Sequence, residues 1–233
     1  MTTSKMSLKI SGYKKIIKWA IWSVLGVLFL VFFIRVVTFE ANYYNEKEGS
    51  ERAVAEEVED EEELIEVAPT EEEVKEYTVA ADRPRYLTIE KLKVDKARIL
   101  PVGVNAKGEL GTPNNIFDVG WYVESGKPGQ GGTLIIDGHN GGPHINGVFK
   151  KLPELKEGDI IKIERGDGEV FKYKVVENKE ISLDDSNAYM AVAAASPVPG
   201  VESVTLITCT GEWSQTQKTY LSRQFTRATL IED

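Results

Sequence analysis

The chain reads as an all-β barrel or sandwich with small helical insertions, carried behind an apolar anchor and an acidic spacer. Three observations lead there. Short β-branched or apolar runs recur at close spacing between Tyr86 and Ile231, glycine-rich turns separate them, and helical periodicity is scarce over the same stretch. The 233 residues are enough for one domain of ordinary size plus an anchor and a tail.

The anchor comes first. Lys5, Lys9, Lys14, Lys15 and Lys18 precede an apolar run from Trp19 to Val37 that only Ser23, Gly26 and Arg35 interrupt. Extended back through Ile16 and Ile17, the run matches the ~20 residues a helix needs to cross a bilayer. Arg35 sits near the far end, where its long side chain can reach the interface. Lysines before the span and glutamates after it predict an N-terminus inside and the bulk of the chain outside. A cleaved signal peptide is the competing reading. It fits less well, because the run is long for such a peptide and no small-x-small site follows near Phe39-Glu40-Ala41.

Charge then changes abruptly. Fifteen acidic and three basic residues lie between Glu46 and Glu76, so the net charge of −9 belongs to this stretch and the remainder is mildly positive. Such a run predicts a solvated, flexible spacer. The expected organisation is a basic N-terminus (1–15), a transmembrane helix (16–38), an acidic flexible linker (39–82) and a folded domain (83–233). No basic cluster on the folded part suits a nucleic acid, and no phosphate-binding glycine loop is present.

Within the domain, Tyr86–Ile89, Ala97–Leu100 and Thr133–Ile136 are expected strands. Ile160–Arg165 and Val170–Val176 alternate around Gly166-Asp167-Gly168, a hairpin signal. Ser203–Thr208 and Gln224–Ile231 complete the set. Helical turns are expected near Val148–Leu152 and over Asn187–Ala195.

Three residues carry chemistry. Cys209, the only cysteine, ends the run Thr205-Leu206-Ile207-Thr208, and Thr210-Gly211 is expected to break the strand just beyond it. A lone cysteine is more often inert and buried than nucleophilic, but a strand mouth is a rigid place from which to aim a thiol. His139 follows the strand Thr133–Ile136 within Asp137-Gly138-His139-Asn140-Gly141-Gly142, where glycines on both sides let the backbone turn. Arg223 opens the last strand, and Arg227 competes with it for any role that needs a fixed cation. His144 is read as non-catalytic. Two nearby histidines and one distant cysteine make a poor zinc signature, so no metal and no cofactor are expected.

Thr205-Leu206-Ile207-Thr208-Cys209 matches in full the T-L-x-T-C signature of the sortases, membrane-anchored cysteine transpeptidases of the bacterial surface. Gly138-His139 and Arg223-Gln224-Phe225-Thr226-Arg227-Ala228-Thr229 fit the family's other two motifs. Leu87-x-Ile89, Pro101-Val102-Gly103 and Phe149-x-x-Leu152 extend the likeness, which runs from about Arg83 to Ile231. Gly120-Trp121-Tyr122 is similar to a segment of the class E and F members. The long acidic linker is no hallmark of the family.

The resemblance implies a closed eight-stranded barrel with Cys209 as nucleophile, His139 as acid and base, and Arg223 stabilising the oxyanion or holding the peptide. Thr208 and Asn140 are the implied substrate contacts. It also implies a bacterial membrane location, secreted proteins with a C-terminal sorting motif as substrates, and an amine of the cell wall or a pilin as acceptor. Two other readings stay open on the residues alone: a tethered barrel that binds without turnover, and a cysteine peptidase that hydrolyses.

Overall fold

The computed structural model describes residues 64–105 and 108–231. The expected transmembrane helix at 16–38 lies outside the described residues, as do the basic N-terminus and the first part of the linker. Among the described residues no helix is long and apolar enough to cross a membrane.

Eight strands close into a barrel in the order β1-β2-β3-β4-β7-β8-β6-β5. They are β1 (Pro84–Ile89), β2 (Val94–Val102), β3 (Val119–Tyr122), β4 (Thr133–Gly138), β5 (Ile160–Arg165), β6 (Val170–Ser182), β7 (Ser203–Ser214) and β8 (Thr219–Leu230). Neighbours are antiparallel except β2 with β3 and β4 with β7. Closure leaves no open sheet edge. β3 had no strand signal of its own. Four residues with a central glycine make a weak pattern, and the strand exists because Val119–Tyr122 pairs alongside Ile99–Val102.

The barrel core is filled by Leu87, Ile89, Leu134, Ile136, Ile161, Ile163, Val204 and Leu206, joined by Phe149 and Tyr173. A second, smaller cluster packs on the outer face of the same wall. Ile135, Ile207 and Phe225 meet Ala193 from helix α2 (Leu183–Ala193), with Leu110, Tyr122, Ile181, Tyr189 and Met190 against them. Thr133–Ile136 of β4 and Ser203–Thr208 of β7 are therefore buried on both faces, which is why neither segment shows a solvent-facing alternation.

Two expectations about strand ends change. β7 does not stop at Thr210-Gly211. Gly211 takes φ +81° within a register shift between Thr210 and Trp213, and pairing with β8 resumes at Trp213 opposite Tyr220. A glycine that tolerates the left-handed region makes a bulge as readily as a stop. Likewise Arg223 does not open β8 but lies four residues in. The expected turns near Val148–Leu152 appear as a short 3-10 turn at Leu152–Glu154.

The last part of the acidic segment is held against the barrel. Ile65 brackets the 114–116 loop, donating to the Asn114 carbonyl at 3.0 Å and accepting from Ile116 N at 3.1 Å. Thr70 and Glu73 form a capping box on helix α1 (Glu71–Glu76). Tyr77 then donates to the Ile99 carbonyl at 2.5 Å, and Tyr86 donates to the Val74 carbonyl. Composition alone favours a solvated chain here. Two tyrosines and a capped turn supply the specific bonds that hold it.

Candidate functional site

The site sits where β4, β7 and β8 run side by side. β4 and β7 are parallel and in register, with Asp137 opposite Ile207. β4 ends at Gly138, one residue before His139, and Thr208, one residue before Cys209, donates its hydroxyl to the Gly138 carbonyl, so His139 and Cys209 follow at the same end of the paired segment. On the other flank Cys209 is the register partner of Arg223. Three adjacent strands thus bring imidazole, thiol and guanidinium into one row, although they are far apart in the chain.

Two glycines set the local geometry. A Cβ on Gly138 would come within 2.7 Å of the Phe149 ring, so only glycine lets that ring cover the end of β4. A Cβ on Gly147 would come within 2.4 Å of the His139 carbonyl, where the loop folds back on itself. Asn140 is buried in this loop, and its carbonyl accepts from Gly147 N at 2.9 Å. Thr208 Oγ1 donates to the Gly138 carbonyl at 2.7 Å across the β4–β7 seam. Both bonds shape the frame that carries His139.

His139 Nε2 lies 2.8 Å from the Pro113 carbonyl. A carbonyl oxygen only accepts, so Nε2 carries the proton and Nδ1 is the nitrogen left for proton transfer. Burial pushes the imidazole below its ordinary range, opposed by the Pro113 bond. The Cys209 thiol is pushed up, chiefly by burial and also by the Asp137 carboxylate, against the pull of Arg223. Both directions favour a neutral imidazole beside a protonated thiol. Among the described residues no hydrogen bond joins Sγ to His139.

These directions give a testable pH profile. Alkylation of Cys209 by iodoacetamide is expected to be slow near neutrality and to rise through a midpoint above the ordinary thiol value of about 8.5. Asp137→Asn, which removes the facing carboxylate, should move that midpoint down. Full reactivity already at about pH 6–7 would mean an imidazolium–thiolate pair instead.

Arg223 and Arg227, equivalent as letters, part company. Arg223 Nη1 donates to the carbonyls of Tyr220 (2.9 Å) and Ser222 (3.0 Å), Nη2 reaches Thr219 Oγ1 at 3.3 Å, and among the described residues no carboxylate forms an ion pair with it. Its charge faces Cys209 and Asp137. Arg227 is 7% exposed and ties the sheet together, donating to Glu177 at 2.7 Å and to the Ala195 carbonyl at 2.8 Å. His144 lies apart, its backbone amide bound to Glu66 at 2.9 Å.

Asp137, two residues before His139, joins the site although the sequence motif assigns it no role. It shares the outer face of β4 with Ile135, accepts from Thr112 Oγ1 and from Gly138 N, and burial raises its carboxyl to about 7 against those bonds. Part of the residue is still accessible, but the carboxyl itself is crowded by protein. The available signal was a charge two residues after Ile135, directly following the apolar run Leu134-Ile135-Ile136. Among the described residues no group of three or more His, Cys, Asp or Glu could hold a metal ion.

Comparison with known proteins follows the same line. The sortase-domain family profile matches residues 87–231, more than half of the chain. Similar solved structures include a Clostridium perfringens sortase D5 transpeptidase (26% identity, 70% of this chain and 90% of that one, TM-score 0.46). A Corynebacterium diphtheriae sortase A lid mutant matches at 25% identity over 66% and 74%, with TM-score 0.46. A pilus-related sortase C of Group B Streptococcus matches at 21% over 74% and 77%, with TM-score 0.47. No curated protein matches the chain. The matched span begins in β1 and ends just past β8, taking in every strand and the whole Cys209, His139 and Arg223 row, and the chain belongs to the sortase family.

Proposed function

We propose that this sortase cleaves a C-terminal sorting motif of secreted proteins through a thioester on Cys209 and passes the acyl group to an amine of the cell wall or a pilin. The observation that carries this reading is the row of Cys209 between His139 and Arg223 at the end of the apolar outer face formed by Ile135, Ile207 and Phe225. Ile135, Ile207 and Phe225 are buried beneath Leu110, Tyr122, Tyr189 and Met190, so a peptide would reach the sulfur along this face by displacing part of that cover.

The steps follow from the protonation states. Sγ attacks the scissile carbonyl as its proton passes to Nδ1 of His139, so thiolate forms only as it is used. The carbonyl π electrons move onto oxygen, where Arg223 supplies a charge that cannot be lost. Collapse breaks the C–N bond, and the imidazolium returns the proton to the leaving amine. The neutral imidazole then takes a proton from the incoming amine as it attacks the thioester, and thiol is regenerated. Thr208 and Asn140 support these steps through the frame of the His139 loop.

The lysine-flanked span at 16–38 would tether the enzyme to the bacterial membrane with its catalytic domain outside. Transfer and hydrolysis share acylation, so the products separate them. Incubating the enzyme with a sorting-motif peptide library, with and without an added amine, is expected to give amine conjugates. Free acid alone, at an unchanged rate with amine present, would make the enzyme a peptidase.

A further inference from the structure

The segment between β2 and β3 returns over the site as the far limb of a short hairpin. Gly111 N donates to the Gly103 carbonyl at 2.9 Å, and Val104 pairs with Leu110. Three consecutive contacts then hold the limb down. Leu110 packs on the outer apolar cluster, the Thr112 hydroxyl donates to Asp137, and the Pro113 carbonyl meets His139 Nε2. Asp137 and His139 project from the end of one strand, two residues apart. Thr112 and Pro113 are adjacent, so the two bonds form a two-point clamp.

We infer that Asp137 is a positioning residue for the reaction: through the Thr112 hydroxyl it fixes the Pro113 carbonyl on His139 Nε2, and so selects the tautomer that leaves Nδ1 to the thiol and the amines. An imidazole has two nitrogens and turns about two bonds, and only a fixed acceptor decides which one keeps its proton. A backbone carbonyl serves only if its peptide plane is held, and a hydroxyl–carboxyl bond one residue away holds it. Arg223 and Cys209, from β8 and β7, are the charged and titratable groups that face the same carboxyl. The carboxyl accepts the Thr112 hydroxyl in either of its protonation states, so the clamp does not depend on which one prevails. The structural part of the inference stands on the two bonds; its catalytic part rests on the reading of His139 as acid and base.

The chain has only two histidines, so both imidazoles can be followed in the full-length protein labelled with ¹⁵N at histidine. The neutral His139 ring is expected to show the Nε2–H tautomer alone, with His144 as internal reference. Thr112→Val and Asp137→Ala should mix the two tautomers and lower kcat roughly ten- to a hundredfold, with KM changed by less than about twofold. Thr112→Ser and Asp137→Asn keep a donor and an acceptor in place and should restore the single tautomer and most of kcat. A His139 that keeps the Nε2–H form in Thr112→Val overturns the inference, and the Thr112 pair decides it even if Asp137→Ala does not fold. The tautomer is read without substrate. Loss of the functional reading would therefore leave this result standing, and the reverse.

Discussion

Replacing Cys209 with alanine is expected to lower peptide transfer roughly 10⁴-fold or more while leaving the barrel folded. The sulfur is the nucleophile of the proposed thioester, and removing a nucleophile costs several orders of magnitude even where the rest of a site survives. The fold should hardly notice. Cys209 is only partly buried, and the packing of β7 rests on Val204, Leu206 and Ile207 instead. Two measurements check this together. Product formation from a cleaved peptide and an added amine should vanish in the variant. Intact mass of the wild-type protein with peptide and no amine should show an acyl adduct that the variant lacks. Transfer at a comparable rate by Cys209→Ala would refute the nucleophile assignment.

The second large effect separates the two arginines of β8. Arg227→Ala should destabilise the fold by about 2–3 kcal/mol, because a buried guanidinium leaves both Glu177 and the Ala195 carbonyl without their partner. The figure stays below that for a fully buried pair because the Glu177 side chain is 35% exposed and water can reach it. Arg223→Ala should do the opposite. Its bonds are to carbonyls at a hairpin end, where water substitutes, so stability should move by less than about 1 kcal/mol. Turnover should fall roughly 10²- to 10³-fold if Arg223 meets the oxyanion. Denaturant unfolding and kcat/KM, measured on both variants, give a crossed pattern. A variant Arg227→Ala that is stable but inactive would exchange the two roles.

The structure also bears on substrate entry. The apolar face that leads to Cys209 is covered by Leu110, Tyr122, Tyr189 and Met190 of the same chain. On the proposed reading, a peptide that reaches Ile135 and Ile207 would displace part of this cover. Of the covering groups, Leu110 belongs to the hairpin limb that also carries Thr112 and Pro113, so seating a substrate and orienting His139 act on the same short segment.

Much of this protein is written in local patterns. Glycine-bounded apolar runs announced the strands, and Gly166-Asp167-Gly168 announced a hairpin that β5 and β6 form. The Thr205–Cys209 run, the Gly138-His139 step and a downstream arginine marked the candidate site, because residue type and spacing along one strand survive in a one-dimensional string. Other features depended on which strand lies beside which. Nothing local distinguishes Arg223 from Arg227: both point to the outer face, and only the partners across the sheet, Cys209 for one and Glu177 for the other, divide them. β3 exists by pairing rather than propensity, and Gly211 makes a bulge because β8 continues beyond it. Asp137 lies within β4, one residue past the expected strand end, and only Thr112, 25 residues away in the chain, makes its carboxyl part of the site. Short-range preferences name the parts; long-range contacts, whose entropy cost only the assembled barrel offsets, decide what each part faces.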